Sequence, residues 1–434
     1  MVLYEIYVRN HGPNGTFEDV TRDLGRIKSM GVDVIWLMPI HPIGKKHKKG
    51  TLGCPYSIQD YRGINPEYGI LHDFQALLKA AHQHGLKVMI DVVYNHTAHD
   101  SKLVGDYPEF FHQDAHGKPI TTVPAWSDVI DLKHPNMDLQ TYLIDTLCYW
   151  VEIGVDGFRC DVASIVPLSF WLEAKARVET INPDIIWLAE SVHTAWVSER
   201  RQNGLTAHSD PELYRAFDLT YDYDIWPIWQ AAVQGIVPVE RYLEILEFQK
   251  GIYPADAVKM RCVENHDNPR IMAFASDEIA AKAWTAFEVF NKGAFLVYAG
   301  QESGATHTPS LFDIDKVQWG EYRLQDWLKK LLTIKKSDIF KTGSLIFLAG
   351  EPVVQAAWQN RDNLLYGLFN IRNTATPIAC QLSDGEYIDL LSGRTIPIAD
   401  NLVNMKGESA YIFETEQKFT LQPLEFELLR IEIT

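Results

Sequence analysis

Apolar residues along this chain recur with two periods that take turns. Short runs rich in Val, Ile, Leu and aromatics read as strands: Leu3–Val8, Val32–Met38, Lys87–Val93, Asp156–Cys160, Ile185–Ala189, Arg215–Leu219, Lys259–Val263 and Ala294–Tyr298. Between them the spacing shifts to a helical period, as in Asp19–Met30, Asp73–His84, Leu139–Ile153 and Ala280–Asn291. Gly31, Gly85, Gly154 and Gly293 each follow a helical stretch and precede a strand, where a helix end calls for a positive φ. Strands alternating with helices predict a parallel sheet, and eight of them predict an α/β fold of the closed (β/α)8 (TIM) barrel kind.

The rhythm breaks twice. From His96 to about Leu132 no helix is legible, and Pro108, Pro119 and Pro124 punctuate the stretch. A loop of that length inside a compact domain is commonly functional. It follows the third strand and is expected to cover the barrel mouth as a short inserted domain. After Thr342 the segments Val353–Trp358, Leu364–Asn370, Tyr387–Leu391, Ala410–Phe413 and Phe426–Ile433 are short and bounded by turn residues. They predict a C-terminal all-β sandwich. The expected organisation is a barrel of residues 1–95 and 133–342, an insertion of 96–132, and a β-domain of 343–434.

Four segments place carboxylates at or just past the ends of apolar runs: DVVYNH (Asp91–His96), GFRCD (Gly157–Asp161), IWLAES (Ile186–Ser191) and VENHD (Val263–Asp267). The C-terminal ends of barrel strands converge on one mouth, so these acids are expected there, in a partly dry setting. A retaining glycosidase needs that arrangement: a carboxylate nucleophile beside a carboxylic acid. Period-two alternation puts Arg159 and Asp161 on one side of their strand and Cys160 on the other. The guanidinium keeps Asp161 ionised, as a nucleophile requires. Glu190 closes the apolar run IIWLA, where loss of water favours the protonated form that can donate to a leaving oxygen. His96 and His266 lack the tight HExxH clustering of a zinc site and suit neutral hydrogen bonding to sugar hydroxyls.

Composition narrows the partners. The formal net charge is -17, which repels phosphate backbones and argues against nucleic acid, while neutral sugars are not penalised. Cys54, Cys148, Cys160, Cys262 and Cys380 are scattered, with no CxxC spacing, which fits a reducing compartment. The N-terminal MVLYEIYVRN is already strand-like, and no apolar run is long enough to span a bilayer. A cytoplasmic protein with no membrane partner is the expectation. The basic run GKKHKKG (Gly44–Gly50) reads as a solvated loop on the rim of a groove. Trp358 is the candidate for an exposed tryptophan in the C-terminal part. Nothing in the chain indicates an oligomeric state.

Taken together, the four segments resemble the α-amylase superfamily of glycoside hydrolases, over roughly the first three quarters of the chain. Further echoes are GVDVIWLMPI (Gly31–Ile40), PYSIQDY (Pro55–Tyr61) with Tyr68–Gly69, and GAFLVYAGQE (Gly293–Glu302). The resemblance implies Asp161 as nucleophile, Glu190 as general acid/base and Asp267 as the stabiliser that grips sugar hydroxyls. It implies that Arg159 holds the nucleophile with support from Asp91, that His96 and His266 hydrogen-bond the sugar, and that Tyr56 stacks on its ring. No cofactor is required for the chemistry. Asn95 matches a family calcium ligand, and Asp131 is a second candidate. The chain departs from the family in DVASIV, where Ser164 and Ile165 replace a frequent Lys-His pair. It departs again after Glu190, where Ser191, Val192 and His193 stand in place of an aromatic, and at Phe295, where Pro is usual. His193 and Trp196 are candidates for acceptor subsites.

The activity so implied is hydrolysis of α-1,4 bonds in maltodextrins by double displacement, with the two carboxyl groups roughly 5–5.5 Å apart. Rivals are an oligo-1,6-glucosidase-like specificity, suggested by Val162 after the nucleophile, and transfer or isomerisation through the same intermediate. A reading of another class is a non-catalytic carbohydrate-binding scaffold, which usually lacks one of the three acids.

Overall fold

The computed structural model describes residues 1–416 and 420–426. Eight parallel strands, β1 (Val2–Ile6), β2 (Val34–Leu37), β3 (Lys87–Val92), β4 (Gly157–Cys160), β5 (Ile186–Ala189), β6 (Leu219–Tyr221), β7 (Val258–Arg261) and β8 (Ala294–Tyr298), close in the order β1-β8-β7-β6-β5-β4-β3-β2. The chain divides into two compact units, Leu3–Asp224 with Thr308–Gln318, and Met1–Val2 with Ile225–His307 and Trp319–Thr434.

In the unit built on Leu3–Asp224 the parallel register runs unbroken from β1 to β6 and sets Asp91 opposite Arg159 and Arg159 opposite Leu188. The strands are buried along their length, apart from Lys87, as in a sheet covered on both faces. The helix Phe17–Ser29 begins on a capping box, with Thr16 and Asp19 bonded reciprocally. The helix Met137–Ile153 starts on Asn136, whose side chain accepts from the N–H groups of Asp138 and Leu139, and ends on Gly154 at φ 116°. Gly31, Gly85 and Gly293 also have positive φ, as expected of helix stops.

One strand differs from expectation. Of the run Arg215–Leu219 only Leu219 is extended; β6 is Leu219–Tyr221. Ser209 and Glu212 form a capping box that starts a helical turn over Asp210–Leu213. Ala216 and Phe217 then bond back to the Leu213 carbonyl, so their apolar character serves a buried turn. The excursion after β3 begins with His96–Ala98, paired antiparallel with Val129–Asp131 so that His96 faces Asp131. Between them lie a short helix Lys102–Asp106 and a 3-10 turn Pro108–Phe110.

In the other unit β7 and β8 pair through Ala294–Met260 and Phe295–Arg261. Gly293 passes so close to β7 that a Cβ there would stand 2.2 Å from the Lys259 carbonyl oxygen. An antiparallel sheet follows, with β9 (Ser344–Ala349), β10 (Val354–Gln359), β11 (Asn363–Phe369) and β12 (Ala410–Glu416) in that order. Leu364, Tyr366, Leu368 and Phe413 of this sheet pack against Ile396, Ile398 and Val403 from two small ribbons, giving the two-layered β core that the turn-rich pattern predicts. The expected strand Tyr387–Leu391 is realised earlier, as Gly385–Ile388. Of the expected strand Phe426–Ile433, the residues after Phe426 lie outside the described residues. Trp358 is buried, and its Nε1 donates to the Phe290 carbonyl at 2.7 Å, so it is not an exposed sugar platform. Among the described residues no helix is long and apolar enough to cross a membrane.

Candidate active site

The ends of β3, β4 and β5 bring Asp91, Arg159, Asp161 and Glu190 together. Cross-strand pairing puts Asp91 beside Arg159, and alternation along β4 turns Asp161 to the same side. Arg159 Nη1 donates to Asp91 Oδ1 at 2.9 Å and Oδ2 at 3.2 Å, and to Asp161 Oδ1 at 2.8 Å. Its Nη2 pairs with Glu190 Oε2 at 3.0 Å, and its Nε donates to Tyr221 Oη at 3.2 Å. One fully buried guanidinium is therefore shared by three carboxylates. Burial works against its charge, but Asp91 and then Glu190 hold its pKa well above the ordinary arginine value. Trp36, Tyr56 and Tyr221 surround it with ring faces at 5.3–5.5 Å.

Glu190 is buried, as the apolar run before it predicts, but it does not stand without donors. Besides Arg159 it accepts from the backbone N–H of Val162 at 2.6 Å. Tyr56 donates its hydroxyl to Asp91 Oδ2 at 3.1 Å, and its ring lies over Arg159. His96 Nε2 stands 3.9 Å from Asp161 Oδ2, while Nδ1 faces Asn95 Nδ2 at 3.3 Å. With Nδ1 accepting from the amide, the ring proton sits on Nε2, toward Asp161. Burial pushes the His96 pKa down to about 4 despite the nearby charges of Asp131, Asp128 and Glu190, so the ring is neutral at neutral pH.

His266 and Asp267 follow β7 in the other unit. His266 is buried and its Nε2 lies 3.2 Å from Asp267 Oδ2; the Asp267 N–H donates to Asn265 Oδ1 at 3.0 Å. Asp267 is exposed, in contrast to the dry setting expected of it. It ends the VENHD run rather than lying within a strand, and chain beyond a strand end opens to water.

Tyr221 and Trp126 join the site without a signal in the pattern of the chain. Tyr221 lies on a strand that starts later than the apolar run Arg215–Leu219 predicts. Trp126, from the excursion, sets its ring 5.1 Å from His96 and 5.9 Å from Trp196. Both tryptophans pack on a cluster of Val162, Ile165, Val192, Val197 and Ala207 beside the acids. His193 is exposed and stacks on Tyr223. The basic run is solvated at Lys45–Lys48, but Lys49 reaches the excursion, pairing with Asp128 at 2.8 Å and donating to the Ala125 carbonyl at 3.1 Å.

The calcium candidates Asp131 and Asn95 both carry hydrogen bonds. Asp131 accepts from Thr121 Oγ1 on one oxygen and from the Thr122 N–H and Oγ1 on the other. Asn95 turns its amide to His96. Among the described residues no three His, Cys, Asp or Glu side chains are grouped to hold a metal ion. A calcium ion takes six to eight oxygens, amide and backbone carbonyls among them.

The chain matches the family model "Alpha amylase, catalytic domain" over residues 7–114 and 125–344, and "Bacterial Alpha amylase C-terminal domain" over 348–412. Its relatives include Alpha-amylase MalA of Haloarcula japonica, 29% identical over 70% of this chain and 44% of that one. They also include the Intracellular maltogenic amylase of Bacillus subtilis, 28% identical over 75% of this chain and 55% of that one. The chain thus spans about half the length of these curated relatives. Among solved structures, an alpha-amylase from Lactobacillus plantarum is 42% identical, with 95% of this chain and 98% of that chain covered and a TM-score of 0.91. Matched over its barrel and its β-domain alike, the chain belongs to the α-amylase family of glycoside hydrolases.

Proposed function

We propose that this protein hydrolyses α-1,4 bonds of maltodextrins and related α-glucans by double displacement, keeping the anomeric configuration. The observation that carries the reading is the pairing of Asp161 and Glu190 through one buried arginine. Asp161, bonded to Arg159 through Oδ1, attacks the anomeric carbon. Glu190 protonates the leaving oxygen and then activates water. Three carboxylates share one guanidinium, and their mutual repulsion favours one of them holding a proton. When Asp161 becomes an ester its charge is spent, and Glu190 is then better placed to act as a base.

Arg159 and Asp91 fix the nucleophile. His96, neutral, donates to a sugar hydroxyl, Tyr56 offers a ring face, and His266 with Asp267 supplies further hydrogen bonds to the sugar. The acidic chain gives no footing for nucleic acid. The Bacillus subtilis relative is named intracellular, and we extend that location to this protein.

A second reading, transfer to a sugar acceptor, is favoured by one observation. Trp126 and Trp196 line an apolar shelf beside Val162, next to the backbone N–H that holds Glu190. A shelf of that kind binds a sugar face and displaces water. A timed product profile on maltoheptaose, panose and isomaltose, with the first-released anomer read by NMR, tests both. Release of the α-anomer supports the retaining reading and the β-anomer ends it; products longer than the substrate add transfer.

A further inference from the structure

The basic run Gly44–Gly50, in the loop after β2, has no part in the proposed sugar chemistry, yet one of its lysines turns inward. Lys45–Lys48 are exposed, whereas Lys49 is half-buried. Its Nζ lies 2.8 Å from Asp128 Oδ1 and donates to the Ala125 carbonyl at 3.1 Å. Trp126 stands between these two anchor points in the chain. The Asp128 carboxylate is buried, so the pair is not an ordinary surface contact.

The same turn is held from other directions. Ser57 Oγ donates to the Asp128 carbonyl at 3.0 Å, and His99 Nε2 donates to the Ser127 carbonyl at 3.1 Å. The His47 ring of the basic run meets the His99 ring edge-on, 4.6 Å between centroids. The foot of the run is fixed as well. The Gly44 N–H donates to the Ser57 carbonyl at 2.8 Å, and the Lys45 N–H to Asp100 Oδ2 at 3.0 Å. A Cβ on Gly44 would stand 2.3 Å from the Ala98 Cβ, so the loop runs directly against the excursion. The carbonyls of Ala125, Ser127 and Asp128 are thus each taken by a side chain from outside the turn.

We propose that Lys49 is a positioning residue for long substrates: it clasps the turn that carries Trp126 and so sets the ring that a sugar meets on the acceptor side. This rests on the reading of Trp126 and Trp196 as an acceptor face. Trp126 lies 5.1 Å from the His96 ring, and His96 Nε2 is 3.9 Å from Asp161 Oδ2, so the ring is placed relative to the reacting groups. The turn belongs to an aperiodic stretch punctuated by Pro119 and Pro124. Ordering a loose aromatic side chain on binding costs affinity, and a turn already held avoids that cost. A lysine suits the task because its ammonium carries three donors and serves a carboxylate and a carbonyl at once.

Calorimetric titration of the whole Asp161→Asn protein with maltoheptaose reads the clasp with turnover blocked. Hydrolysis by the unaltered protein reads the catalytic assignment separately, so either can fail alone. Lys49→Met should weaken maltoheptaose roughly three- to tenfold, as ordering of the ring and its turn moves into the binding step. Lys49→Arg keeps donors for both acceptors and should stay within about twofold. In a Trp126→Ala background Lys49→Met should add little, because the ring it positions is gone. Lys49→Met leaves the buried Asp128 carboxylate unpaired, so it is also made together with Asp128→Asn, which removes that charge; the paired variant should show the same loss. Unchanged affinity in both Lys49→Met and the paired variant overturns the proposal. So does a loss of equal size with and without Trp126, which would make Lys49 a support of the fold alone, and so does an absence of maltoheptaose binding by the Asp161→Asn protein.

Discussion

The N–H of Val162 donates to Glu190 at 2.6 Å from a residue whose own backbone is left-handed, at φ 38° and ψ 42°. A β-branched side chain pays a steric cost in that region. Val162 is nonetheless buried in the cluster with Ile165 and Val192. Packing on one side and the carboxylate on the other thus hold a conformation that local sterics oppose.

This sets an unusual order of stabilities. Val162→Ala removes two methyl groups from the cluster and should cost about 1–2 kcal/mol. Val162→Gly removes one carbon more but lifts a left-handed penalty of roughly 1–2 kcal/mol. The glycine variant should therefore unfold at no lower temperature than the alanine variant, against the usual order. Thermal melts of the two decide it. Both keep the N–H on Glu190, so both should keep kcat within about tenfold, whereas Glu190→Gln should lose 10²–10⁴-fold on maltodextrin and much less on an aryl glycoside with a good leaving group.

Arg159 is expected to be the least replaceable residue of the site. Removing it leaves Asp91, Asp161 and Glu190 around an empty charge, and breaking a buried pair costs about 3–5 kcal/mol. Arg159→Met should therefore lower the urea midpoint strongly. Arg159→Lys should not restore it, because a point charge cannot reach the two carboxylates on Nη1, the one on Nη2 and the Tyr221 hydroxyl together. A lysine variant with wild-type stability would show that the fork geometry is unimportant.

Asp131→Asn separates the calcium expectation from the hydrogen bonds in its place. The carboxylate ties Thr121 and Thr122 to the ribbon that carries His96. Losing the charge on a buried acceptor should cost about 1–3 kcal/mol. Melts of the unaltered protein in EDTA and in added calcium should coincide. A rise in Tm with calcium that Asp131→Asn abolishes would instead place a metal there.

What the chain made legible follows from the period of its strands. Arg159 and Asp161 were readable as neighbours because alternation is a two-residue rule, and Asp91 joined them through register. Tyr221 was not, since a capping box at Ser209 shifted its strand and no periodic pattern marks a turn of that kind. The Val162 contact is a backbone bond, which side-chain identity does not encode. Trp126 sits in an aperiodic excursion, where only packing reveals its neighbour. Asp131 matched a ligand position by motif, but its threonine partners lie nine and ten residues away in a loop with no periodic spacing.

The trp shelf gives a split between kinetic constants. Trp126→Ala and Trp196→Ala remove ring faces of the kind worth about 0.5–1.5 kcal/mol beyond their area. With maltoheptaose both should raise KM several-fold and reduce any transfer products relative to hydrolysis, while kcat with a short aryl maltoside stays near the starting value. Equal losses on short and long substrates would mean that the shelf supports the fold and not the acceptor.

His96 carries the pH dependence. Its folded pKa, near 4, lies below the value of about 6.5 expected in the unfolded chain. The unfolded state therefore takes up the proton first as pH falls. The stability it contributes is complete above about pH 6.5 and is lost progressively toward pH 4, on the order of 3 kcal/mol in total. His41, buried and likewise lowered to about 4, acts in the same direction. His96→Gln keeps a neutral donor and removes the titration, so its Tm should fall less steeply than that of the unaltered protein between pH 6.5 and 4. Parallel curves across that window would show that the ring takes up its proton alike in the folded and unfolded chains, and the lowered pKa assigned to it would have to be given up.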